Sequence, residues 1–244
     1  MGIFDKVKTS LADAAENRRT AAEIRSIESQ NNAALVKFNS ALQEWQDQHS
    51  IIHALVVAFT KASNSEDAVS TTAVMKKGEY ALWSGPASYH ESRRQAGTYV
   101  GRSSGVSIPI GGGLRYRTGA TKGTFVPGPE TQQTVDQGTV LMTTARLIFN
   151  GNNRSQEWSF AKWTGAEASS DETYYMFHVS NRQKASGVRI NLNQGTEFNR
   201  FLAQALDTQR EGIDGLLKRL LKAQEDHGAS KPSKPVLKDL PSNS

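Results

Sequence analysis

Histidine and arginine are the residues whose spacing in this sequence offers chemistry. His49 and His53 stand four apart, the spacing that lets two imidazoles on one helix reach one metal ion. The chain holds no cysteine, and no acidic third ligand shares that face, so neither a metal nor a cofactor is expected. His49 also falls on an apolar seam, where a polar member tunes helix register. His90 and His178 have no recognisable acid–base partner in sequence. There is no Gly-x-Ser-x-Gly elbow, no His-Glu-x-x-His and no phosphate loop ending in Gly-Lys-Ser/Thr. Gly111-Gly-Gly113 lacks the dinucleotide fingerprint spacing and opens a strand, so it reads as a hairpin turn needing positive φ. No catalytic residue is named, and the expectation is a protein that is not an enzyme.

The arginines are more informative. Between Arg93 and Lys122 stand Arg93, Arg94, Arg102, Arg115, Arg117 and Lys122, with no Asp or Glu among them. Arg115 and Arg117 are two apart, so a strand would send both to one face. Guanidinium forks suit phosphate geometry, which makes these six residues the candidate site for an anion or lipid headgroup. A solvated face protecting a sheet edge is the plainer alternative. Tyr99 and Tyr116 could stack on bases, but alternation turns Tyr116 away from both arginines, so nucleic acid is not the expected partner.

The surrounding elements follow from composition and period. The chain has 244 residues, 37% of them hydrophobic, and a formal net charge of +5. That length buries a core without disulfides. The mean hydropathy of −0.54, with no apolar run of about 18 residues, excludes a spanning helix. Residues 1–65 contain no proline, and Gly2 is their only glycine, so they read as helix. Leu35, Phe38, Leu42, Trp45, His49, Ile52, Val56 and Phe59 alternate three and four apart, a heptad seam that needs a partner. Ser29-Gln-Asn-Asn32 reads as a turn, which favours a helical hairpin over 1–63 ahead of a single bent helix. Residues 64–74 are polar and read as a linker. The period then changes to two, with strands expected over 79–84, 98–108, 114–118, 139–143, 146–150, 157–163, 173–180 and 187–192. A helix carrying Phe198, Phe201, Leu202, Ala205 and Leu206 closes this block. Within 207–227 a second helix shows Ile213, Leu216, Leu217, Leu220 and Leu221 on one face, bordered by Lys218, Arg219 and Lys222; packing of that face on the seam is expected ahead of a place in a membrane interface. Residues 228–244 lack periodicity and read as a disordered tail.

Two segments resemble a known family. Gly138-Thr-Val-Leu-Met-Thr-Thr-Ala-Arg-Leu-Ile-Phe-Asn-Gly151 resembles the central hairpin of GRAM and bacterial PH-like domains. The strand 187–192 with the following Glu197-Phe-Asn-Arg-Phe201 resembles their last strand and capping helix. Tyr99–Ile110 with Gly113–Gly119 is similar to a glycine-spaced hairpin of bacterial proteins carrying such a domain. Over residues 75–206 the resemblance implies a PH/GRAM-like antiparallel β-sandwich or barrel with a C-terminal capping helix. Phosphoinositide-binding PH domains often end an early hairpin in a basic-x-Arg pair, and Arg115-Tyr116-Arg117 is similar in type. The upstream lysine is missing, and Arg102 stands at a different spacing.

The expected protein is α+β. It is a non-enzymatic interaction or adaptor module that binds a protein partner or a second copy through Leu35, Phe38, Leu42, Trp45, Ile52, Val56 and Phe59. The alternative is a peripheral membrane protein, in which the basic hairpin and both terminal amphipathic segments contact anionic lipid. Met1–Lys8 resembles the amphipathic starts of some peripheral proteins, although Lys6 occupies the place where a myristoylation motif has Ser or Thr. A cytoplasmic location is expected, at the inner face of the membrane under the alternative.

Overall fold

The computed structural model describes residues 3–91, 106–109, 115–118, 133–182 and 184–241. They divide into two units, residues 1–50 with 225–244, and residues 51–224.

Helix α1 (Ile3–Ser63) is unbroken. This overturns the helical hairpin expected around Ser29–Asn32. Serine and asparagine each cost a helix only about 0.5 kcal/mol relative to alanine, and no glycine or proline reinforces them here. Asparagine starts a turn when its side chain bonds its own backbone. Asn31 instead donates its Nδ2–H to the Lys238 carbonyl and accepts the Lys238 N–H, both at 2.9 Å.

That pair also gives the tail, expected to be disordered over 228–244, a contact with the long helix. Residues 231–241 have no regular secondary structure, yet Lys238 is fixed to Asn31, and its Nζ reaches Gln30 Oε1 at 2.7 Å. Nearer the end of the second helix, Trp45 Nε1–H donates to the His227 carbonyl at 2.9 Å, and His227 Nε2 lies 3.1 Å from the Trp45 carbonyl. The rings of Trp45, His49 and His227 stack on one another, and the Lys231 ammonium sits 5.4 Å from the Trp45 ring centroid.

The second unit is organised by a curled seven-stranded antiparallel sheet. The strands in chain order are β1 (Ala81–Glu91), β2 (Val106–Pro109), β3 (Arg115–Thr118), β4 (Gln133–Thr143) and β5 (Arg146–Gly151). They continue with β6 (Ser155–Ser159), β7 (Trp163–Ala168), β8 (Tyr174–Val179) and β9 (Ser186–Ile190). The sheet order is β6-β5-β4-β1-β9-β8-β7, while among the described residues β2 and β3 pair only with each other. Alternation sets the faces: Tyr175, Phe177 and Val179 of β8 enter the core, and Tyr174 and His178 do not. β1 runs on through Gly85-Pro86, past the predicted end at 84. Gly85 leaves room for the Trp83 ring, and β9 pairs with β1 only from Ala87, so the missing Pro86 N–H breaks no bond on that side. The strand predicted over 157–163 is two strands, because a 3-10 turn over Phe160–Lys162 intervenes.

The inner face is closed by both helices. Leu55, Val56, Phe59 and Ala62 of α1 join Phe198, Phe201, Leu202, Leu216 and Leu220 of α2 (Gly195–Ala229) over the sheet aromatics Trp83, Tyr89, Phe149, Trp158 and Phe177. α2 breaks its helical path at Gly212, whose φ of 71° and ψ of 169° favour glycine. Asp207 spans the break. Its buried carboxylate pairs with Arg210 at 2.9 Å and Arg219 at 2.6 Å.

The polar stretch 64–74 is no free linker. Asp67 accepts the Ala81 N–H at 2.7 Å, and Val69, Ala73 and Met75 pack on Ala81, Leu141 and Ile148. The segment is a strap across the outer face of β1, β4 and β5, anchored at its end by Arg146. That guanidinium grips Glu79 with both Nε and Nη2, donates to the Val74 carbonyl at 2.8 Å and pairs with Glu157.

Candidate functional site

The basic segment and the helical seam have different places in the fold. Arg115 and Arg117 lie on β3, opposite Pro109 and Ser107 of β2. Arg93, Arg94, Arg102 and Lys122 lie outside the described residues. The hairpin belongs to the connection between Glu91, the last residue of β1, and Gln133, the first of β4. The expected turn at Gly111–Gly113 also lies outside the described residues, between two strands whose pairing is that of a hairpin.

The seam divides along its length. Leu35, Phe38, Leu42, Trp45 and Ile52 are half-buried, whereas Val56 and Phe59 are buried. The buried end meets α2 and the sheet within its own chain, so Val56 and Phe59 are core residues and are not open to a partner. Leu216 and Leu220 are likewise turned into the core, and of that helix's leucines Leu221 is the exposed one. The leucine face of 213–224 thus packs within its own chain, and Leu216 and Leu220 are not open to the lipid contact of the membrane alternative.

The histidines do not converge on a metal. His49 stacks on Trp45 with ring centroids 4.8 Å apart, and Gln224 Nε2 lies 3.3 Å from His53 Nδ1. Among the described residues no group of three His, Cys, Asp or Glu could hold a metal ion. No helix among them is long and apolar enough to cross a membrane.

Two open cavities lie on the outer face of the sheet. One, of about 380 Å³, lies between the strap residues Ser70, Thr71 and Thr72 and the sheet residues Ser84, Thr139, Leu141 and Asn150. The other, of about 360 Å³, is lined by Ser88, Gln137, Asn152 and Asn191 among others. Their linings hold hydroxyls and amides with no charged side chain, so neither supplies a nucleophile–base pair or an anion clamp.

Sequence reasoning missed one grouping altogether. β1, β8 and β9 bring His90, Tyr174 and Arg189 together on the outer face. The His90 and Tyr174 rings meet edge-on with centroids 5.3 Å apart. Burial, reinforced by the Arg189 charge, holds the His90 imidazolium pKa below the usual histidine value. Burial also pushes the Tyr174 hydroxyl up to about 12, with the Glu167 charge adding to it and Arg189 opposing. No spacing signal exists for residues this far apart in sequence; only strand order makes them neighbours. No protein-family model, curated protein or solved structure matches this chain.

Proposed function

We propose that this chain is a non-enzymatic interaction or adaptor protein, in which a PH-like sheet domain engages an anionic partner through its basic β2–β3 hairpin. The observation that carries this reading is the hairpin's separate ladder. Among the described residues β2 and β3 pair with each other and with no strand of the seven-stranded sheet. Among the described residues the sheet is therefore built without them, and Arg115 and Arg117, part of a run of six cations with no acid, stand on a strand outside it. A curled antiparallel sheet followed by a helix on its inner face is what the PH/GRAM resemblance implied. That supports the PH-like reading.

The helices supply the second half of the reading. With Val56 and Phe59 in the core, self-association would use the half-buried stretch Leu35 to Trp45 and the residues before it. A membrane would have to be held mainly by the hairpin, because Leu216 and Leu220 are buried. That favours an acidic protein surface over lipid as the partner.

Co-sedimentation with anionic vesicles at low and at physiological salt separates the two partners. A protein partner predicts weak vesicle binding, and the salt-sensitive capture of an acidic polypeptide such as poly-glutamate. Arg115→Glu with Arg117→Glu abolishes that capture. Vesicle binding that survives physiological salt would move the reading to the membrane. Capture unchanged by the double substitution would remove the hairpin from it. Light scattering across a concentration series checks self-association, which a concentration-independent monomer mass would exclude.

A further inference from the structure

Among the described residues, three polar side chains on the outer face of the sheet are left without partners. His90, near the end of β1, is 5% exposed, yet neither ring nitrogen has a hydrogen-bond partner. Tyr174 opens β8 beside it, and its buried hydroxyl is unpartnered too. Arg189 on β9 lies directly across from Tyr174 on one side and from Ser88 on the other, two residues before His90. Arg189 is exposed, and its guanidinium makes no hydrogen bond or ion pair among the described residues. Their neighbours Tyr89, Tyr175 and Val188 point into the core, so alternation sends these three side chains to the opposite face.

Buried polar atoms in folded proteins are almost always hydrogen-bonded. Two adjacent orphans next to an unpaired guanidinium make a cluster of donors with nothing to receive them. We propose that His90, Tyr174 and Arg189 form a cradle for a phosphate-class oxyanion. Arginine supplies the charge and a fork matched to oxygen pairs, tyrosine a hydroxyl donor, and histidine an N–H. Donors arriving from three strands suit a tetrahedral group better than a planar carboxylate, and Arg189 repels cations.

The nearby acids do not neutralise the cradle. Glu167 on β7, the acidic neighbour of Tyr174, lies 3.3 Å from His178 on β8. Glu91, next to His90, accepts from the Tyr89 hydroxyl and pairs with Arg154 at 2.7 Å. An anion on Arg189 would cancel the positive field at His90 and favour the imidazolium. Binding therefore takes up a proton and tightens as pH falls through the His90 pKa of the bound state. The cradle deepens the anion-binding reading but uses neither Arg115 nor Arg117, so the two stand or fall separately.

Sulfate is the probe, because its charge is constant over this range. It is titrated into the full chain at pH 7.5 and 6.0, with the His90 ring resonance followed by NMR. Sulfate is expected to raise the His90 pKa and to bind more tightly at pH 6.0, by up to about tenfold for each unit of that rise. Inorganic phosphate competes with it. The exposed-site variant Arg189→Gln weakens binding at least tenfold and Tyr174→Phe weakens it less, while Arg115→Glu with Arg117→Glu retains it. Phosphatidylcholine vesicles with and without phosphatidic acid distinguish a lipid headgroup from a free phosphate ester. Vesicle binding lost in Arg189→Gln identifies the headgroup, and binding of the free anion alone identifies the ester. An unmoved His90 resonance, or sulfate binding unchanged in Arg189→Gln, overturns the proposal.

Discussion

Replacing Arg146 with methionine removes one cation and leaves a buried anion behind. Glu79 has a side chain only 2% exposed and is held by Arg146 Nε at 2.8 Å and Nη2 at 3.1 Å. Without the guanidinium it keeps the Thr143 hydroxyl at 2.7 Å and the Lys76 N–H at 2.8 Å, which satisfy hydrogen bonding but not charge. Breaking one side of a buried ion pair costs about 3–5 kcal/mol. The Glu157 contact adds little, because that carboxylate is half exposed. At about 2–4 °C per kcal/mol, melting should fall by about 6–20 °C. The strap should also loosen, since the Val74 carbonyl loses its donor.

The pH dependence gives the sharper test. Burial alone would raise the Glu79 pKa, but hydrogen bonds from Arg146, the Lys76 N–H and Thr143, with the Arg146 charge, hold it below the usual value. In the natural chain Glu79 therefore contributes stability that is present above the ordinary glutamate pKa and lost as pH falls through the lowered one. In Arg146→Met the burial effect loses its main opponent and the sign reverses, so the variant loses stability as pH rises. Urea denaturation should show the largest gap between the two proteins at pH 7 and a narrowing gap toward pH 4. Adding Glu79→Gln to Arg146→Met should recover most of the loss. A variant within about 1 kcal/mol of the natural chain at pH 7, or a loss that Glu79→Gln does not relieve, would refute the reasoning.

Three further outcomes are expected. Gly212→Ala should cost about 1–3 kcal/mol in urea denaturation, all of it conformational, because no atom lies within 4 Å of the new Cβ; an unchanged midpoint would mean that α2 straightens there. Phe59→Ala should cost about 3–5 kcal/mol and Phe38→Ala about 1 kcal/mol, since the same seam is core at one residue and half-buried at the other; equal costs would contradict that division. Asp207→Asn should behave oppositely to the Glu79 case. Burial raises the Asp207 pKa despite Arg219 and Arg210, so its contribution is full below the ordinary aspartate pKa and declines as pH rises through the raised one. Denaturation from pH 3 to 7 should therefore show Asp207→Asn gaining on the natural chain as pH increases.

Local chemistry was most legible where an element depends on its own residues. The change of period after residue 78, the strand pairs around Thr143 and Arg146, and the helix carrying Phe198 and Leu202 all follow from alternation and helical spacing. Gly85-Pro86 reads as punctuation, yet β1 passes through it, because one side of the strand is unpaired there and Trp83 fills the space above the glycine. Ser29–Asn32 reads as a turn, yet Asn31 bonds to a residue 207 positions away and the helix continues. The strap shows the same limit: a polar run looks like a linker until Asp67 and Arg146 pin it to the sheet.

The sequence by itself determined the α+β class, the apolar seam, the absence of thiol chemistry and a cationic stretch between Arg93 and Lys122. These are properties of composition and spacing, and they persist whatever the chain folds against. Tertiary structure decided what covers the buried end of the seam, which leucines are core, and that among the described residues β2 and β3 pair apart from the main sheet. It also decided the grouping of His90, Tyr174 and Arg189. Strand order sets those distances, and it follows from the pairing of the whole sheet rather than from any local run of residues.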